Sequence, residues 1–291
     1  MEADSNSIET SSIELLRSII SDELGEMVVI NPDQAMIGTL CEVLKETENP
    51  LSVRLLARES VLKAIRQNFH VASAAADLIE NGTLSLRATD KDHANSLVIT
   101  SESVVSLVST GSQIAGLTTG DTGFVESVRE RWQSEWESAE EFDLRTPGRS
   151  RVEHSLSEKF GSEEAEDFQT MIDALATARG SEDEDVDENR TGSRSRDNLD
   201  EVGVSLLMAA KHGELLYDIS TWGEDVGMAS RATFSRVKTQ FEEQGLITTE
   251  KVPIDVGRPR LRLWLGDEEL READTAELTS SAHGRLSRSE A

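Results

Sequence analysis

The stretch from Gly180 to Arg196, GSEDEDVDENRTGSRSR, constrains the architecture more than any other part of the chain. It holds one apolar side chain, Val186, so it has almost nothing to bury against the entropy of being ordered. A packed core cannot run through it. Residues 180–198 read as an acidic flexible linker with separate folding units on either side. The chain has 291 residues, room for about two domains of ordinary size.

Upstream, from Ile13 to about Thr146, short β-branched runs alternate with amphipathic helical segments, the rhythm of βαβ units in an α/β domain. Strands are expected at 27–30, 53–57, 84–88, 97–100 and 104–108. Helices are expected over 32–45, from Ser60 through Phe69, and over 71–80, where Asn81-Gly82 supplies a C-cap. The segment 122–141 sets Phe124, Val128, Trp132 and Trp136 four residues apart, an apolar stripe suited to a domain core or a dimer seam. Glycines 111, 116, 120 and 123 could line a small pocket, but loop glycines are more often turn punctuation, and these read as such. Thr146-Pro147-Gly148 marks an edge. An α/β domain over 1–146 is thus followed by a helical connector over 147–179, with helices at 151–160 and 163–178 that could bridge two domains.

Downstream, residues 199–291 read as three helices, a strand, a turn, a strand and a closing amphipathic segment, the parts of a winged helix-turn-helix. The first helix, 200–211, carries Val202, Leu206, Ala209 and Ala210 on one side. The second, 215–226, buries Leu216, Ile219 and Val226 and stops at Gly227. Ser230 caps the third, which ends before Gly245. At about 100° per residue, Phe234, Val237 and Phe241 share one face, while Ser235, Arg236 and Thr239 take the opposite face with Arg231 and Lys238 alongside. Glu242 and Glu243 share that outward face at its far end. A helix apolar inward and cationic outward is what reading base edges in a major groove demands. Two strands, 246–252 and 260–265, flank a turn from Pro253 to Pro259 with Arg258 at its tip. They set Leu261, Leu263 and Leu265 inward and Arg260 and Arg262 outward. The expected DNA contacts are Ser230, Arg231, Thr233, Ser235, Arg236, Lys238, Thr239, Arg258, Arg260 and Arg262.

Charge supports this reading. The chain carries 56 acidic and 29 basic residues, a net charge of −27, yet from 229 to 262 seven basic residues meet four acidic ones. The local sign reversal is the footprint of a surface that meets nucleic acid. Acid throughout, with 22 Arg but 7 Lys, resembles the composition of a halophile's cytoplasmic protein.

Several classes have no support. Cys41 is the only cysteine, so an intrachain disulfide or a cysteine metal cluster cannot form. His70, His93, His154, His212 and His283 lie apart, with no metal-ligand spacing. No phosphate loop, dinucleotide fingerprint or serine elbow occurs. The expectation is neither an enzyme nor a cofactor or metal protein. The first ten residues are polar and acidic, unlike a secretory leader, and no apolar run approaches the ~18 residues of a membrane span. The expected location is the cytoplasm, on the nucleoid, with no membrane partner.

The C-terminal stretch LLYDISTWGEDVGMASRATFSRVKTQFEEQGLITTEKVPIDVGRPRLRLWLG resembles that of the TbsP family of haloarchaeal transcriptional regulators. The similarity extends through VRLLA, NSLVITSESVVSLVS and FVESVRERWQSEWESAEEF in the N-terminal half. That half is also similar in outline to the phospholipase D-like sensor domains of sugar-responsive archaeal regulators. The enzymes' HxKxxxxD signature is missing, since no histidine here is followed two residues later by Lys, so hydrolysis is not implied. The resemblance implies a non-catalytic sensing or dimerising domain joined to a DNA reader. Double-stranded DNA is then the expected partner, a homodimer the expected assembly, and a small molecule at the N-terminal domain the expected effector. The competing expectation is a winged-helix adaptor of the transcription machinery that does not itself bind DNA.

Overall fold

A computed structural model describes residues 7–9, 12–21, 25–47, 51–109, 114–180, 199–255 and 257–288, and the chain divides into two compact units, 1–148 and 149–291. The acidic linker expected over 180–198 lies outside the described residues from 181 onward. Among the described residues, no helix is long and apolar enough to cross a membrane.

The first unit is organised by β2 (Gly25–Ile30), where successive side chains point to opposite faces and both faces are greasy. Met27 and Val29 enter one buried cluster; Ile30, with Val28 packed beside it, enters another. A strand buried on both sides belongs in the middle of three layers. It pairs in parallel with β3 (Leu51–Arg58), and β3 in parallel with β4 (Leu84–Thr89). The crossovers are α2 (Gln34–Glu46) and the pair α3 (Glu59–Gln67) and α4 (Phe69–Glu80). On the other edge of β2, β5 (Ser96–Ile99), β6 (Val104–Ser109) and β7 (Ile114–Thr119) continue antiparallel. With β1 (Ser7–Glu9) and β8 (Glu140–Glu141) at the margins, the sheet order is β1-β7-β6-β5-β2-β3-β4-β8. Helices α1 (Ser12–Ser21) to α4 cover one face, and α5 (Thr122–Ser138) packs on the other. Asp33, Asn68 and Asp121 cap α2, α4 and α5 by accepting from the amides of Met36, Val71 and Phe124.

All five expected strands form in this sheet, and two other expectations change. Gly116 lies inside β7, not in a turn; IAGLTT is held as a strand because β6 pairs with it on one edge and β1 on the other. The stripe along α5 also divides. Trp132 and Trp136 are buried, whereas Phe124 is 52% exposed, because the first turn of α5 stands beside an open groove over β6 and β7.

The second unit is organised by α8 (Glu201–Lys211). Its residues VGVSLLMAA are apolar nearly all round, and every position from Val202 to Ala210 is buried, not just the single side expected. A helix of that kind must be covered on every side. Part of the cover is the winged helix: α9 (Leu216–Asp225), α10 (Arg231–Glu243), and β10 (Arg260–Leu265), which pairs antiparallel with β9 (Ile247–Val252). The rest is α7 (Ser162–Gly180), which packs on α8, on its neighbour α6 (Arg149–Lys159) and on α12 (Thr275–Arg288), beyond the short α11 (Glu268–Glu272).

Helices α6 and α7, expected to form a connector, therefore sit in the core of this unit. Leu156, Phe168, Met171, Ile172 and Leu175 are at most 4% exposed. Phe160 and Phe168 stand edge-on to Trp222 of α9 at 6.3 and 6.2 Å, and the Trp222 indole N–H donates to Ser155 Oγ at 3.0 Å. Asp167 ties three helices together by accepting from Lys211 Nζ and Thr275 Oγ1 and pairing with His212 Nε2, each at 2.7 Å.

Candidate nucleic-acid interface

The helix-turn-helix is α9, a turn through Gly227 at φ +87°, and α10. Ser230 begins α10 as expected, its Oγ accepting from the Thr233 amide at 3.2 Å. Phe234, Val237 and Phe241 are buried beneath the helix. Gly223 on α9 lies so close to the Phe234 ring that a Cβ there would overlap it, which fixes how near the two helices cross. The opposite, exposed face presents Ala232, Ser235, Arg236 and Thr239, with Glu243 at its end.

The cations of this region fall into two groups. Arg236 on α10, Lys251 on β9 and Arg258 at the wing turn are exposed and form no ion pair among the described residues. The others are engaged within the module. Arg231 Nε lies 2.7 Å from Glu224. Lys238 Nζ lies 2.6 Å from Glu242, which also accepts from Thr249 Oγ1 at 2.6 Å. Burial alone would push the Glu242 carboxyl up, but those two hydrogen bonds prevail and hold it below its ordinary range. Arg260 stacks 3.8 Å above the Tyr217 ring and lies 3.5 Å from Asp218. Arg262 donates to the Gly213 carbonyl at 2.9 Å, and Leu215 forms an isolated antiparallel bridge to it at the edge of the two-stranded wing.

The ten sequence-derived positions are thus not one surface. Ser230, Arg231, Thr233, Ser235, Arg236 and Thr239 line the start and outer face of α10, and Arg258 stands at the wing turn. Lys238 and Glu242 turn to the flank that faces β9, because they lie about 160° and 120° around the helix from Arg236. Arg262 braces the base of the wing. Ala232 was missed although it lies four residues before Arg236, a spacing that puts both on one face. Lys251 and Tyr217 were missed as well; nothing in their local spacing marks them.

The first unit holds a second feature. A groove of about 670 Å³ opens between α5 and strands β5 to β7, walled by Leu97, Val104, Leu117 and Phe124, with Asn95 and Arg131 as polar edges. Asn31, at φ +48°, anchors the loop beside it by donating to the His93 carbonyl and accepting from Ser96 Oγ. His93 stands edge-on to Trp132, and its Nε2 lies 2.9 Å from Glu135 Oε1, both side chains about nine-tenths buried.

No curated protein matches the chain. Among solved structures, the archaeal chromatin protein TrmBL2, described as showing a novel mode of DNA binding, is 19% identical with a TM-score of 0.38. That match covers 48% of this chain and 55% of TrmBL2, so the chain spans about half of that protein's length. Nuc of Salmonella typhimurium, a phospholipase D family member, is 16% identical with a TM-score of 0.34, over 47% of this chain and 99% of Nuc. Family models are more direct. The N-terminal model of TbsP-like transcriptional regulators matches residues 4–147, and their C-terminal HTH model matches residues 183–283. Matched across both halves, with an HTH domain in the second, the chain belongs to the TbsP-like transcriptional regulators.

Proposed function

We propose that the second unit reads DNA sequence by laying the outer face of α10 in the major groove, with the wing at the backbone or minor groove. One observation carries the reading. Ala232, Ser235, Arg236 and Thr239 form an exposed strip directly opposite the buried Phe234, Val237 and Phe241, and among the described residues Arg236 pairs with no carboxylate. A free guanidinium beside hydroxyls and a methyl group matches what guanine, adenine and thymine edges offer. Arg258 and Lys251 serve the phosphates, giving register without sequence preference.

The regulator is non-catalytic and acts as a homodimer on a two-fold site. Its first unit takes a small metabolite in the groove beside Phe124, a space within the usual range for such ligands. The acid-rich surface supports work in a salt-rich, archaeal cytoplasm, on the nucleoid, where counterion release contributes little and direct contacts must carry affinity.

Selection of bound duplexes from a random pool, followed by anisotropy titrations, tests the DNA reading. Arg236→Ala should relax the selected sequence while Arg258→Ala weakens every duplex alike. Absence of duplex binding by the full chain at any salt concentration would instead favour a protein-docking adaptor.

A further inference from the structure

Tyr217 opens α9 with its ring 46% exposed, an unusual place for the chain's only tyrosine. Two arginines from different elements converge on it. The guanidinium carbon of Arg260 on β10 lies over the ring, 3.8 Å from its centroid, and that of Arg231 from the start of α10 stands 5.9 Å away. Each is also held by a carboxylate of α9: Arg260 by Asp218 at 3.5 Å and Arg231 by Glu224 at 2.7 Å. Two cations and two anions on one exposed platform sum to zero, so the cluster presents no net charge in the free protein.

We infer that Tyr217, Arg231 and Arg260 form a phosphate-binding station of the DNA interface, with Asp218 and Glu224 occupying the guanidiniums until a backbone phosphodiester replaces them. This inference rests on the proposed reading that α10 and the wing meet DNA. Position supports it, because the station joins the start of α9, the start of α10 and the wing strand, three elements that a duplex lying along α10 must pass. Chemistry supports it too. A guanidinium grips carboxylate and phosphate with the same planar fork, and stacking on Tyr217 keeps that fork oriented while its partner changes. Energetics allow the exchange, since all four charged side chains are 33–48% exposed and ion pairs in contact with solvent are only weakly held.

The exchange has a salt signature. An arginine that binds phosphate releases a counterion from DNA, but here the vacated carboxylate beside the backbone attracts cations back and offsets part of that release. Asp218→Asn removes the competitor while keeping shape. In titrations of the full-length protein with a random-sequence duplex over a range of KCl, that variant should bind about two- to fivefold more tightly. Its log affinity should fall more steeply with log salt, by up to about 0.9. Tyr217→Leu, which removes the platform, should weaken random and selected duplexes alike by about two- to fivefold, with the urea midpoint unchanged. Unchanged or weaker binding by Asp218→Asn at an unchanged salt slope overturns the station. If Arg236→Ala still relaxes sequence preference in that case, only the station fails; if the wild type binds no duplex, the station and the reading it rests on fail together.

Discussion

Replacing Phe168 with alanine tests whether α7 is part of the core that holds the helix-turn-helix. The ring is fully buried, with 0% exposure, and stands edge-on to Trp222 on α9, the helix that precedes α10. Truncating such a phenylalanine costs about 3–5 kcal/mol, against a total of ~5–15 kcal/mol for a domain of this size. At about 2 kcal/mol per molar urea, the unfolding midpoint of the second unit should fall by ~1.5–2.5 M. Hydrogen exchange read on peptides from α8 gives the local answer. Protection of α8 should drop by about two to four decades, since each ~1.4 kcal/mol is tenfold and α8 opens only when its cover is lost. Phe168→Leu, which keeps much of the apolar volume, should lose less than half as much. Protection of α8 that changes by less than about tenfold in Phe168→Ala would refute the reasoning and leave a winged helix that closes its core without α7.

Other substitutions address separate features. Burial pushes the Asp167 carboxyl up, but hydrogen bonds from Lys211, Thr275 and His212 outweigh it and hold the folded-state pKa below the ordinary value. The resulting stabilisation is complete above about pH 4 and disappears as pH falls through the lowered folded value, so Asp167→Asn should flatten the acid-unfolding curve of the second unit below about pH 4. An identical acid limb in both proteins would contradict this. Gly223→Ala drives a methyl into the Phe234 ring and should cost ~1–3 kcal/mol of overpacking, less the ~1 kcal/mol that alanine gains in a helix; a thermal scan showing net stabilisation would refute the close crossing. Lys238→Gln should leave the salt dependence of DNA binding unchanged, because that ammonium already faces Glu242; a slope shallower by about 0.9 would place it on phosphate. Burial pushes the Cys41 thiol up to about 12, with Glu42 adding to the effect and Lys45 opposing it, so iodoacetamide at mildly alkaline pH should label it only after urea unfolds the first unit.

Much of the fold was legible because it is written in local periodicity. The double-faced run MVVI, the alternation in RLRLWL and the cap at Ser230 each specify an element without reference to the rest of the chain. What escaped was relational. Residues 114–119 look like a glycine-punctuated turn until a strand is available on each side. The run VGVSLLMAA reads as a helix with one apolar side, whereas it is buried all round; α7, which supplies part of the cover, lies across the acidic stretch, and that stretch suggests a boundary. The candidate site divides in the same way. Helical spacing predicted the buried and exposed faces of α10, but whether an arginine is free or held depends on carboxylates and an aromatic ring on α9, which spacing along α10 and the wing does not encode.

The acidic stretch also changes meaning once α7 and α8 share a unit. Residues 181–198 leave from α7 and re-enter at α8, so both ends return to the same body, and the chain passes from one unit to the other at Gly148–Arg149. A protease that nicks the stretch would break the polypeptide and still leave the two pieces clasped through Phe168, Trp222 and Asp167.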